Sequence, residues 1–203
     1  MIEFYMIPRL DPRLDPRPAD TATRMASGMT PPVLVPAAPA PARGAIHCEV
    51  VTDLAAVEAL APRWEALLER SRCNRAFSSP RWFLASCQVR PERRPYLVVA
   101  RRGRELAGVL PLWVDAASRT AEFGALLSDY NDVVADPAVP EVAAALLDFA
   151  GRAPHSFDRL VLRHLRPDSC CLQALPSLAP ATGRRLLDSR VCPYARLPAS
   201  FAE

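Results

Sequence analysis

The chain has 203 residues, half of them hydrophobic, and a formal charge of +3. That length carries one hydrophobic core, or one part of a larger protein. So slight a charge, evenly spread, excludes the basic footprint of a nucleic-acid binder.

Residues 1–44 are rich in Pro, Ala and Arg and contain the small repeat Arg9-Leu10-Asp11-Pro12-Arg13-Leu14-Asp15-Pro16-Arg17-Pro18. Proline at this density removes backbone donors and blocks helix, so the segment reads as a disordered arm. A single folded unit then occupies 45–203. A first strand is expected over 46–51. Asp53 caps a helix whose apolar face is Leu54, Val57, Leu60, Trp64, Leu67 and Leu68. Pro62 falls inside it and predicts a kink or a restart. Ser79-Pro80 repeats the start signal, with Ser as cap and Pro at the first helical position, before Trp82, Phe83 and Leu84.

A meander follows. Residues 96–100 form a continuous apolar strand, 101–104 turn the chain, and 105–114 bring it back. Gly108 and Pro111 in the returning strand are both poor ladder residues and predict a bulge, or an edge that splays from its neighbour. A third strand is expected over 120–126, a helix over 139–151, a strand over 157–165, a short helix over 168–178 and a last strand over 185–191. No apolar stretch reaches the length of a membrane span.

Six cysteines stand at 48, 73, 87, 170, 171 and 192, with histidines at 47, 155 and 164. None of the cysteines makes a C-x-x-C pair and the histidines are off ligand spacing, so no metal site is expected. Residues 1–10 carry Glu3 and no long apolar run, which predicts no export signal. Free thiols and a cytoplasmic location follow.

The densest polar chemistry lies at Ser128-Asp129-Tyr130-Asn131-Asp132. A hydroxyl, two carboxylates, a phenol and an amide on a loop between scaffold elements are the groups from which binding sites are made. The same residues also suit a solvated turn in which Asp129, Asn131 and Asp132 satisfy backbone donors. Trp82 reads as a core residue or as an aromatic wall of a cleft. Arg81 and Arg163 read as surface charges or, less directly, as site residues.

The element order is strand, two helices, three-stranded meander, helix, strand, helix, strand. It resembles the GNAT superfamily of N-acyltransferases. The words Trp64-Glu65-Ala66-Leu67, Phe77-Ser78-Ser79-Pro80-Arg81-Trp82, Leu106-Ala107-Gly108-Val109-Leu110-Pro111-Leu112, Ser128-Asp129-Tyr130-Asn131-Asp132 and Pro193-Tyr194-Ala195-Arg196-Leu197-Pro198 narrow it. They resemble the first half of the two-domain group tied to cellulose and other exopolysaccharide biosynthesis, distantly similar to Fem-type aminoacyltransferases. The resemblance implies a mixed α/β fold, with a mainly antiparallel central sheet flanked by helices. It also implies a second domain of similar fold. Ser200-Phe201-Ala202-Glu203, in the form of a capping box, suggests a helix about to begin and so a truncated chain.

The family's cofactor is acetyl-CoA or another acyl-CoA, its pyrophosphate held on the amides that open the helix after the third meander strand. Here that linker, 132–141, has no glycine, two prolines and the acids Asp132, Asp136 and Glu141. Acyl-CoA is therefore not expected to bind this chain alone. Ser128, Asp129, Tyr130, Asp132 and Trp82 become candidates for recognising a sugar or amine acceptor, with no catalytic residue assigned. A non-catalytic module kept for binding or assembly, and an inactive fragment, are the other readings.

Overall fold

The computed structural model describes residues 2–7, 44–152, 156–178 and 183–189. It is a mixed α/β fold around one eight-stranded sheet. The strands are β1 (Ile2–Ile7), β2 (Ile46–Val51), β3 (Arg93–Arg102), β4 (Glu105–Asp115), β5 (Thr120–Phe123), β6 (Val134–Ala135), β7 (Arg159–Leu165) and β8 (Gly183–Ser189). Four α-helices appear among the described residues: α1 (Leu54–Arg70), α2 (Pro80–Val89), α3 (Val142–Gly151) and α4 (Cys170–Ala174). The sheet order is β2-β3-β4-β5-β7-β1-β8, with β6 paired to β4 off that path. Every pairing is antiparallel except β5 with β7. Parallel neighbours need a long crossover, and α3 lies within the one between β5 and β7.

One expectation is overturned at the N-terminus. Ile2–Ile7 is not part of a disordered arm but a strand between β7 and β8, with Tyr5 opposite Val161 on one side and Arg185 on the other. The prolines begin only at Pro8, and the six residues before it are largely apolar and aromatic, types that suit a strand. Averaging composition over 1–44 hid them. Residues 8–43 lie outside the described set, as do the Pro193–Pro198 word and the Ser200–Glu203 capping box.

The helix starts form as their caps dictate. Asp53 accepts from the Ala56 amide at 2.9 Å, and Ser79 accepts from the Trp82 amide at 3.1 Å. α1 runs through Pro62 as one helix. Pro62 and Glu58, whose carbonyl the proline cannot serve, both face solvent, so water meets the lost bond.

β3 and β4 are buried on both faces, which is why they read as unbroken apolar runs. Tyr96, Val98 and Ala100 pack with α3, while Leu97 and Val99 pack with α1 and α2. A bulge between Ala100 and Arg101 slips the register by one residue, so that Gly108 faces Ala100 while Leu106 faces Arg101. Such a slip exchanges the two faces of a strand. Accordingly Leu106 belongs to the α1/α2 side, and Leu110, Leu112 and Val114 to the α3 side. Gly108 sits at the exchange, where a Cβ would stand 2.3 Å from Val142 and 2.8 Å from Leu146. Gly108→Ala should therefore destabilise by about 1–3 kcal/mol through overpacking. Thermal melting checks this, and an unchanged midpoint would show that α3 can withdraw.

Candidate functional site

The site begins with a break in the sheet. β5 pairs with Leu112–Asp115 of β4 and β6 pairs with Gly108 and Val109. The two short strands are thus halves of one neighbour, interrupted opposite Pro111. The Gly124 amide donates to the Pro111 carbonyl at 3.0 Å. In a strand a residue's N–H and C=O point to the same side, so the donor that proline lacks is missing on this side of β4. β4 is an interior strand, so of the two expectations for Gly108 and Pro111 the bulge is found beside Gly108, and in place of a splayed edge there is a gap on one side of β4. The chain leaves the ladder at Gly124 and returns at Val134.

The excursion is bolted to three elements: α2, β7 and α4. The Trp82 indole donates to the Leu126 carbonyl at 3.0 Å, and the Leu126 amide donates to the Ser86 hydroxyl at 3.0 Å, tying the loop to α2. Asn131 ties it to β7: its amide N–H donates to the His164 carbonyl at 3.2 Å and its side-chain nitrogen to the Arg163 carbonyl at 3.3 Å. The Ser128 hydroxyl, buried, bonds the Asn131 side-chain oxygen at 2.6 Å and so fixes that amide's orientation. Asp132 reaches the start of α4. Its carboxylate accepts from the amides of Cys170 at 2.8 Å, Cys171 at 3.0 Å and Val133 at 2.8 Å. Burial raises the Asp132 pKa, and these amides act against that rise.

The proposed acceptor residues therefore divide. Ser128, Asp132 and Trp82 are struts that hold the loop, Trp82 also packing edge-on against Phe77 with centroids 5.0 Å apart. Tyr130 is half-buried, its ring 6.4 Å from that of Phe77. It lines a polar pocket of about 80 Å³ with Arg72, Asn74, Asp132 and Arg166. Asp129 is exposed, and its carboxylate has no hydrogen-bond or ion-pair partner among the described residues. Arg81 pairs with Glu65 at 3.0 Å on the surface, and the Arg163 side chain is exposed, its carbonyl alone engaging the loop. Asn131 and His164 are the residues missing from the sequence-derived candidates. A local amide-rich turn could have flagged the first; His164 sits in an apolar strand pattern and carries no such signal.

The chain matches no family model, no curated protein and no solved structure.

The turn before α3 fills donor sites of its own, while Glu141 gives the helix no side-chain cap. Asp136 accepts from the Ala138 amide at 2.9 Å and from Arg70 at 3.0 Å, and its carbonyl takes the Val139 amide at 3.0 Å. Burial pushes the Asp136 carboxyl up, but the Ala138 amide and Arg70 outweigh it and hold the pKa below the ordinary range. An anion arriving here meets a resident carboxylate. Between this turn and α4 lies a cleft of about 500 Å³, with Val139, Pro140 and Ala144 on one wall and Cys170, Gln173 and Ala174 on the other. Among the described residues no group of three or more His, Cys, Asp or Glu side chains could hold a metal ion.

Two predictions follow from these bonds. Asp132→Ala strands the Cys170 and Cys171 amides and should cost about 1–3 kcal/mol, whereas Asp129→Ala should fall within about 0.5 kcal/mol of the parent; denaturant titrations compare them. Burial, then the nearby Asp132 charge, pushes the Cys73 thiol up to about 12 and the Cys170 thiol up to about 11, from an ordinary 9.0. A folded-state pKa that is raised gives stability present below pH 9 and lost as pH climbs toward 11 to 12. Urea midpoints should therefore fall above pH 9, and fall less in Cys73→Ser.

Proposed function

We propose that this chain is the acceptor-binding half of a GNAT-type N-acyltransferase acting on an amine or amino sugar in envelope polysaccharide biosynthesis. Acyl-CoA would be held by a second domain. The observation that carries the reading is Asp129, an exposed carboxylate without a partner among the described residues, on a loop anchored to α2, β7 and α4. An anion presented on a rigid support is suited to a substrate ammonium, because little ordering is needed when the ligand arrives. The element order from β2 to β8 supports the reading, being the one on which the acyltransferase resemblance rests. The five described cysteines are free thiols, in keeping with a cytoplasmic site of action. No helix of the described residues is long and apolar enough to cross a membrane.

The self-satisfied turn before α3 favours a second reading, a binding module of the same fold without catalysis. It also argues against acyl-CoA binding to this half in either case. A lone exposed carboxylate gains only about 1 kcal/mol from a cation at 4 Å in water, well short of the about −4 kcal/mol of a 1 mM Kd, so acceptor affinity for the chain alone should be weaker than millimolar. Calorimetry should detect no saturable binding of acetyl-CoA, while an NMR titration with glucosamine should show binding weaker than millimolar that Asp129→Asn lowers about fivefold further. Micromolar binding of acetyl-CoA to this chain would overturn the division of labour.

A further inference from the structure

Two cavities adjoin at Arg72. The polar pocket of about 80 Å³ beside Tyr130 and the cleft of about 500 Å³ between the turn before α3 and α4 both have Arg72, Asp168 and Gln173 in their walls. A cleft of that volume falls in the range of small-molecule sites. Asp129 lines neither cavity.

The polar pocket is equipped for an anion. Arg72 is exposed and makes no hydrogen bond or ion pair among the described residues. The Asn74 side-chain oxygen accepts from the amides of Ala76 at 2.9 Å and Phe77 at 3.0 Å. Amide donors require an oxygen, so the orientation of that side chain is settled, and its nitrogen is left with both of its N–H donors. The acids of the same pocket are already matched. Asp168 takes two bonds from Arg166, each at 2.9 Å, and Asp132 takes the amides of Cys170, Cys171 and Val133. What remains is a guanidinium and an amide nitrogen, and a guanidinium matches a carboxylate with two parallel N–H donors.

The cleft has a different character. Val139, Ala143, Ala144 and Ala174 give it an apolar wall of small side chains. Its other acids, Glu141 and the Asp136 that pairs with Arg70 at 3.0 Å, do not line the polar pocket. Because Arg72 belongs to both walls, a ligand lying along the apolar one can end on its charge. An anionic head and a hydrocarbon body is the combination that satisfies both.

We propose that this cleft binds an aliphatic monocarboxylate, its carboxylate on Arg72 and Asn74 and its chain along Val139, Ala143, Ala144 and Ala174. The site is separate from the acceptor loop and independent of the acyltransferase reading; a module without catalysis would carry it equally.

The test is an amide NMR titration of the full chain with sodium octanoate. The Asn74 side-chain signals and the backbone signals of Ala144 and Ala174 should move on one saturation curve. Affinity should rise from butyrate to octanoate by about fourfold for each methylene that the wall covers. Arg72→Gln, at an exposed position, should keep the melting temperature and bind octanoate about tenfold more weakly, the loss of one charged hydrogen bond. Asp129→Asn should bind octanoate as the parent does. Absence of saturation overturns the proposal. So does butyrate binding as tightly as octanoate, which would mean an anion pocket with no role for the apolar wall. Octylammonium binding as tightly as octanoate, or unchanged octanoate affinity in Arg72→Gln, would mean an apolar groove indifferent to charge and overturns it too. Each of these results leaves the Asp129 reading where it stood.

Discussion

The missing donor of Pro111 is the constraint on which the rest of the structure turns. β4 keeps its full ladder with β3, but on its other side one position cannot be bonded by a neighbour running straight past. The neighbour accordingly divides into β5 and β6, and residues 124–133 stand out of the sheet between them. A backbone that leaves a ladder must find other partners where it is covered. It finds them on α2, β7 and α4, and those bonds turn an interruption into a defined loop. The bulge beside Gly108, a few residues upstream, lets β4 switch its faces and stay packed against helices on both sides.

Packing and polarity cooperate at this loop. Gly124 lies so close to the Phe83 ring that a Cβ would stand 2.2 Å from it, so the exit from β5 is pressed onto α2. Trp82 and Phe77 continue that surface to Tyr130. At the far end the Asp132 carboxylate adds to the side-chain cap of Ser169, which takes the Leu172 amide, and closes the first turn of α4 from a distant point in the chain. Leu127, 86% exposed and left-handed, and Asp129 beyond it are what the anchors leave outside. Rigid support with an acid at the tip that has no partner among the described residues is a different object from a flexible polar turn, although both have the same composition. The first can recognise a cation; the second merely solvates the chain.

Much of the scaffold was legible because its signals are local. Asp53 and Ser79-Pro80 mark helix starts by cap chemistry, and the apolar runs of β3 and β4 announce burial on two faces. Gly108 and Pro111 give away the irregular strand because glycine and proline each fail in a ladder for a physical reason. What was not legible depends on partners far along the chain. Ser128 and Asp132 look like ligand-binding groups in sequence, and only the positions of Asn131 and of the Cys170 amide make them struts. Ile2–Ile7 was masked by the proline-rich residues after it. His164 looks like any polar residue in a strand until its ring is seen against the Ser128 carbonyl.

The central claim is that the loop from Gly124 to Val133 is held rigidly and presents Asp129. Amide hydrogen exchange resolved by residue tests it most directly, since protection follows the opening of each bond. The account predicts slow exchange at Gly124, Leu126, Asn131, Cys170 and Cys171, whose amides are bonded across the loop, and fast exchange at Asp129 between them. Fast exchange at all of these positions would contradict the account and make the segment an ordinary solvated turn.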